Sequence, residues 1–237
     1  MPRVLILDTR IDANVYRPTR HWRALLGDVS SDSVHLPSGE AVPNLAPYTH
    51  LILTGSEASI VCPEPWFAVE EKAVRRAFDA GIPILGSCFG HQMLARVLSG
   101  EAAVWRSPTP ELGWTPVEIL GADPLLDGLP RRCYTYVAHF DEVCAPPPLP
   151  WRVLARSDRC RVQAMRYGER PIWGIQCHPE IPIADGRALL SDLLRKRPDL
   201  EALIKPALAM VPRDDELGSA ITARFLAAQR WESSRGG

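Results

Sequence analysis

Short apolar runs alternate with helical periodicities through the first hundred residues, and this alternation most constrains the fold. Arg3–Leu7 is an apolar strand ending at Asp8, and Pro18–Leu26 reads as a helix with proline in its first turn. Val34–Leu36 and His50–Leu53 read as strands, the second running into the turn signal Thr54-Gly55-Ser56. Pro65–Ala80 carries Trp66, Val69, Ala73, Val74, Ala77 and Phe78 at helical spacing and stops near Gly81. Ile82–Leu85 is a buried strand, and Phe89–Leu98 a helix ended by Gly100. Strands separated by helices imply an α/β, doubly wound, mostly parallel sheet flanked by helices.

From about residue 101 the pattern changes. Ala102–Trp105, Thr115–Ile119, Arg132–Val137, Arg152–Ala155, Arg161–Arg166 and Ile172–Gln176 are β-like, and many lie too close together for intervening helices. They imply a mixed or antiparallel extension of the same sheet. Helical stretches follow at Ala184–Leu194, Leu200–Ala209 and Asp214–Arg230. The expected organisation is one catalytic unit over residues 1–195, with a helical extension, 196–237, packed on it.

Composition narrows the partners. Apolar residues make up 46% and charged residues 23% of the 237, enough for a packed core, and the formal net charge is −1 with no basic stripe. That argues against nucleic acid or an anionic membrane surface as partner. No apolar run approaches the roughly 20 residues of a membrane span. The first residues, Met1-Pro2-Arg3-Val4-Leu5-Ile6-Leu7, are too short for a signal peptide. The expected setting is soluble and cytoplasmic. Six cysteines, at 62, 88, 133, 144, 160 and 177, form no C-x-x-C pair, and no His/Cys/carboxylate spacing suggests a metal. No cofactor is expected. Most of these cysteines read as small buried hydrophobes.

Cys88 needs another account. Residues 82–94 run Ile-Pro-Ile-Leu-Gly-Ser-Cys-Phe-Gly-His-Gln-Met-Leu, so an apolar strand enters Gly86-x-Cys88-x-Gly90 and leaves as a helix. This is the setting of a nucleophile elbow, a turn so tight that the nucleophile projects from its tip. The flanking glycines relieve clashes. The N–H groups opening the helix favour negative charge on the sulfur, and the Phe89 N–H is placed to stabilise an oxyanion. A Gly-flanked structural cysteine is the bland alternative.

A nucleophilic cysteine needs a base, and the base needs an orienting group. Residues 173–180, Trp-Gly-Ile-Gln-Cys-His-Pro-Glu, put His178 at a strand end with Glu180 two residues on, and Pro179 stiffens the link. Alone the motif is weak. Paired with the upstream elbow, it completes a Cys-His-Glu constellation.

Gly-Ser-Cys-Phe-Gly-His-Gln with a later Gly-Ile-Gln-Cys-His-Pro-Glu resembles the class I glutamine amidotransferase domain, as in the glutaminase half of GMP synthetase. The resemblance spans roughly residues 3 to 195. Leu51-Ile-Leu-Thr-Gly-Ser56 resembles the segment that supplies a second oxyanion donor, Glu111-Leu-Gly113 the E-x-G after it, and Tyr136-Val-Ala-His-Phe-Asp141 the Met-Ser-His-Gly-Asp segment. It implies a flavodoxin-like fold and these roles: Cys88 as nucleophile, His178 as base and acid, Glu180 as its orienting group, and the Gly55 and Phe89 N–H groups as oxyanion hole. Gln92 and the backbone around Val137, Ala138 and His139 would hold the glutamine. Two departures stand out. Gly55-Ser56-Glu57 replaces the usual Gly-Gly-Pro, and Ala138 replaces the usual Ser.

Other candidates read as structural. His91 reads as a packing residue, Cys177 as core, and Asp8 as a cap or turn former. His139 with Asp141 reads as shaping the substrate loop.

No phosphate-binding loop of the G-x-x-x-x-G-K-[ST] or S-G-G-x-D-S type appears, so the chain cannot itself activate an acceptor with ATP. The resemblance therefore implies a glutaminase that delivers ammonia to a separate synthase or ligase subunit. The rival reading is a γ-glutamyl hydrolase or peptidase in which water resolves the same thioester. A catalytically silent binding paralogue is a third, opposed by the intact triad.

Overall fold

The computed structural model describes residues 1–12, 14 and 16–232. Nine strands form one sheet: β1 (Arg3–Asp8), β2 (Ser30–His35), β3 (His50–Leu53), β4 (Ile84–Ser87), β5 (Val104–Ile119), β6 (Arg132–Val143), β7 (Trp151–Arg156), β8 (Ala164–Tyr167) and β9 (Ile172–Ile175). Six α-helices accompany them: α1 (Pro18–Leu26), α2 (Phe67–Asp79), α3 (Phe89–Ser99), α4 (Ile183–Lys196), α5 (Glu201–Ala209) and α6 (Leu217–Ala227). The order across the sheet is β2-β1-β3-β4-β9-β8-β7-β5-β6. Pairings from β2 to β9 are parallel, and those from β9 to β6 antiparallel.

Successive β1 residues point to opposite faces, and both faces are covered, which is why the strand is continuously apolar. Leu5 and Leu7 pack with α2 and α3 through Val74, Ala77 and Met93. Val4 and Ile6 pack with Trp22 and Leu26 of α1 and with Leu217, Ile221 and Phe225 of α6. A third cluster joins the extension to the site: Tyr16, Leu112, Trp114, Tyr136, Ile181, Leu190, Ile204 and Ala207.

The expected elements are present, with three revisions. The Ala102–Trp105 and Thr115–Ile119 pieces are one strand, β5, whose register against β6 shifts between Arg106 and Glu111. Pro108 and Pro110 sit in that irregular stretch, where the ladder tolerates a missing N–H. The strand expected at Val34–Leu36 begins earlier, at the polar Ser30, because it is an edge strand paired only to β1. The last helix is shorter than expected, and residues 233–237 of the extension lie outside the described residues. Among the described residues, no helix is long and apolar enough to cross a membrane.

Candidate active site

Between β4 and α3 Cys88 is the single turn residue, with φ 50° and ψ −105°. This backbone costs a non-glycine residue on the order of 1–3 kcal/mol and persists only where the surroundings fix it. Here they do. The Cys88 N–H donates to the Ile175 carbonyl (2.8 Å), the Gln92 N–H to the Cys88 carbonyl (3.1 Å) and the Gly90 N–H to the Thr54 carbonyl (3.0 Å). A Cβ on Gly86 would collide with the Gly90 carbonyl, and one on Gly90 would lie 2.5 Å from the Leu53 oxygen. The glycines are thus required by close backbone approach, as the elbow reading expects.

The His-Pro-Glu segment follows β9 and lies against the elbow. The His178 N–H donates to the Tyr136 carbonyl (2.9 Å). His178 Nδ1 is 2.9 Å from Glu180 Oε1, which leaves Nε2 for a second partner. Glu180 Oε2 lies 3.3 Å from the Ser87 hydroxyl. Burial works against an imidazolium at His178. The negative charges and hydrogen bonds of Cys88 and Glu180 outweigh it and raise its pKa from 6.5 to about 10. Cys88 and His178 are each 5% exposed and Glu180 is 3% exposed, so the three side chains sit out of water.

Gly55 follows β3. Its N–H donates to the Tyr16 hydroxyl (3.1 Å), and that hydroxyl donates to Glu180 Oε1 (3.1 Å). The Tyr16 ring meets His178 edge-on at a centroid distance of 5.6 Å. Burial, reinforced by the negative charges of Glu180, Cys88 and Glu57, holds the Tyr16 phenol well above its ordinary pKa, so it stays protonated. A Cβ on Gly55 would lie 2.6 Å from His178 Cε1 and 2.7 Å from the Tyr16 oxygen.

The other expected residues divide. The Cys88 sulfur lies 3.8 Å from the Ala138 carbonyl, which brings the backbone of the 137–139 segment to the nucleophile. The Val137 side chain is in the core. His139 is buried, with Nδ1 3.1 Å from the Asp141 carbonyl and Nε2 3.1 Å from Glu111. Its side chain therefore shapes the strand. Gln92 donates through its amide nitrogen to the Asp141 carbonyl (2.6 Å) and to Gln176 Oε1 (3.1 Å). The Asp141 carboxylate accepts from the Ser59 hydroxyl (2.6 Å), the Ile60 N–H (3.1 Å) and Arg106 (2.9 Å), tying the loop after Gly55 to β6.

Asp8 accepts from the Arg10 N–H (3.1 Å) and the Thr19 hydroxyl (2.6 Å), a turn-forming role. His91 packs against Gly174, where a Cβ would meet its ring, and burial lowers its pKa to about 3. Cys177 is buried, which pushes its thiol pKa up.

Among the described residues, Glu111, His139 and Cys160 bring possible metal-ligand atoms within 4.8 Å of one another. The Glu111 carboxylate also accepts from the Ser157 hydroxyl (2.7 Å) and the Gln163 amide (2.6 Å), so these donors serve a buried hydrogen-bond network.

Two neighbours of the triad escaped the sequence reading. Ser87 was visible as the residue inside Gly86-x-Cys88. Tyr16 has no local signal, because it lies in the connection between β1 and α1.

The class I glutamine amidotransferase family model matches residues 45–196. The chain is 40% identical over 157 residues to the glutamine-hydrolysing GMP synthase of Aeropyrum pernix, covering 66% of this chain and 28% of that protein. It is 39% identical over 125 residues to one subunit of the glutamine-hydrolysing GMP synthase of Pyrococcus furiosus, covering 53% of this chain and 63% of that relative. The match thus spans less than two thirds of either relative. With a GMP synthase subunit from Methanothermobacter thermautotrophicus, identity is 35% over 148 residues, covering 62% of this chain and 77% of that relative. The fold is similar to a glutamine amidotransferase from Thermotoga maritima (TM-score 0.76, 24% identity, 96% of this chain and 99% of that one). It is equally similar to one from Methylobacillus flagellatus (TM-score 0.76, 20% identity, 100% and 98%). The match over residues 45–196 includes the elbow and the His-Pro-Glu loop, and the chain belongs to the class I glutamine amidotransferase family.

Proposed function

We propose that this chain hydrolyses glutamine through a γ-glutamyl thioester on Cys88 and passes the ammonia to a separate synthase subunit. The observation that carries the reading is the buried His178–Glu180 pair, Nδ1 to Oε1 2.9 Å, following β9 beside the strained Cys88 turn between β4 and α3. The Cys88 sulfur would attack the side-chain amide carbon, and the Gly55 and Phe89 N–H groups would stabilise the oxygen that becomes negative. His178 would protonate the departing nitrogen, which leaves as ammonia, and then take a proton from the water that attacks the thioester to release glutamate. Glu180 would hold the tautomer. Gln92 and the backbone of Val137, Ala138 and His139 would shape the glutamine seat.

The synthase partner is supported by relatives that are each named as one subunit of a glutamine-hydrolysing GMP synthase. Residues 1–195 would form the catalytic unit, with the segment from 196 as a helical extension packed on it. Its Ile204 and Ala207 share an apolar cluster with Tyr16. The cytoplasm is the proposed compartment, consistent with six free cysteines.

The test compares ammonia release from glutamine with amine release from γ-glutamyl peptides. Glutamine turnover, lost in Cys88→Ala, is expected. Turnover confined to γ-glutamyl conjugates would replace the reading with a hydrolase or peptidase.

A further inference from the structure

Glu180 is buried, and both oxygens of its carboxylate have partners. A carboxylate out of water needs donors, and the angle at which it faces an imidazole is fixed only where those donors are fixed. Oε1 lies 2.9 Å from His178 Nδ1 and accepts from the Tyr16 hydroxyl (3.1 Å). Oε2 lies 3.3 Å from the Ser87 hydroxyl, whose single proton is shared with the Cys177 carbonyl at 3.1 Å.

Tyr16 has little freedom to turn its proton elsewhere. The Gly55 N–H donates to the phenol oxygen at 3.1 Å, so that side of the oxygen is taken. The phenol stays protonated, and its ring is held edge-on to His178 at a centroid distance of 5.6 Å. The O–H therefore points to Glu180. The second hydroxyl comes from the nucleophile's own strand, since Ser87 ends β4 and directly precedes Cys88. The carboxylate that faces His178 is thus fixed relative to the elbow through Ser87 and to the loop after β3 through Tyr16.

We propose that Tyr16 and Ser87 are positioning residues for glutamine hydrolysis, whose hydroxyls hold the Glu180 carboxylate square to His178 Nδ1 and which act on the Cys88 chemistry only through that carboxylate. The proposal rests on the Cys88 reading above. A loose carboxylate lets the imidazole swing or change tautomer, which slows proton transfer without weakening glutamine binding.

The experiment is a double-mutant cycle on the full chain. It reads glutamine kcat and KM for wild type, Tyr16→Phe, Ser87→Ala, Glu180→Ala and the two double variants that carry Glu180→Ala. Tyr16→Phe keeps the ring against His178 and removes only the hydroxyl. Expected is a roughly tenfold fall in kcat, the order of one hydrogen bond to a charged group, with KM changed by less than about twofold. Ser87→Ala, which loses a shared proton, should lower kcat by roughly threefold. On the Glu180→Ala background, with no carboxylate to hold, each substitution should change kcat by less than about twofold. Tyr16→Phe also frees the Gly55 N–H, an effect on the loop that is common to both backgrounds and so cancels from the cycle. A full loss that persists on the Glu180→Ala background overturns the proposal, since the hydroxyls then act through packing. Unchanged kcat in both folded single variants overturns it as well, as does a loss confined to KM. Ser87→Ala decides the matter if Tyr16→Phe does not fold. The Cys88 reading fails on a separate result, namely glutamine turnover that survives Cys88→Ala.

Discussion

The base half of the site and its proposed oxyanion half place their hydrogen bonds differently. In the base half, the segment after β9 brings His178 Nδ1 to 2.9 Å from Glu180 Oε1 beside the Cys88 elbow. Every partner there is one the reaction would use. On the Gly55 side, the Gly55 N–H donates to the Tyr16 hydroxyl, which donates in turn to Glu180 Oε1. Tyr16 shares its apolar cluster with Leu190 of α4 and Ile204 and Ala207 of α5, so the extension helps set the oxyanion half.

Substitutions can break this contrast at different strengths. Cys88→Ala should remove at least roughly 10³-fold of glutamine turnover and abolish labelling by a γ-glutamyl affinity reagent, since both halves act through the sulfur. Gly90→Ala should break the elbow itself, because the new Cβ meets the Leu53 carbonyl at 2.5 Å. A loss of about 2–4 kcal/mol is expected, read as a lower melting temperature or denaturation midpoint.

Glu180→Gln sharpens the base half. The folded pKa of His178 is raised from 6.5 to about 10, so the stabilisation of its charged form is full below about 6.5 and is lost as pH rises through about 10. Removing Glu180 removes one of the raising charges, so the alkaline fall in kcat/KM should move to lower pH. An unmoved limb would mean that Glu180 does not tune His178. The smallest effect is expected from Ser56→Gly, which loses one tie to Thr9. A change of a few-fold at most in glutamine kcat/KM is expected, measured without partner.

Local patterns made much of the fold legible. The elbow was readable because its requirements are local: glycines two residues either side of Cys88, an apolar strand before and a helix after. The parallel strands buried on both faces announced themselves as apolar runs. Strand β2 did not, since Ser30–Ser33 are polar and become a strand through pairing with β1. Strand β5 looked like two pieces because its prolines argue against a ladder, and only the register shift against β6 reconciles them.

The sequence by itself determined the strained turn at Cys88 and the His178–Glu180 pairing, because a short turn and a three-residue loop encode them. Tertiary structure alone decided what packs beside them. Tyr16 lies 39 residues from Gly55 and 164 from Glu180, and no local pattern encodes such an approach. It arises because α1, α4, α5 and the neighbouring strands pack over one end of the sheet and bury a phenol whose oxygen then has to find partners.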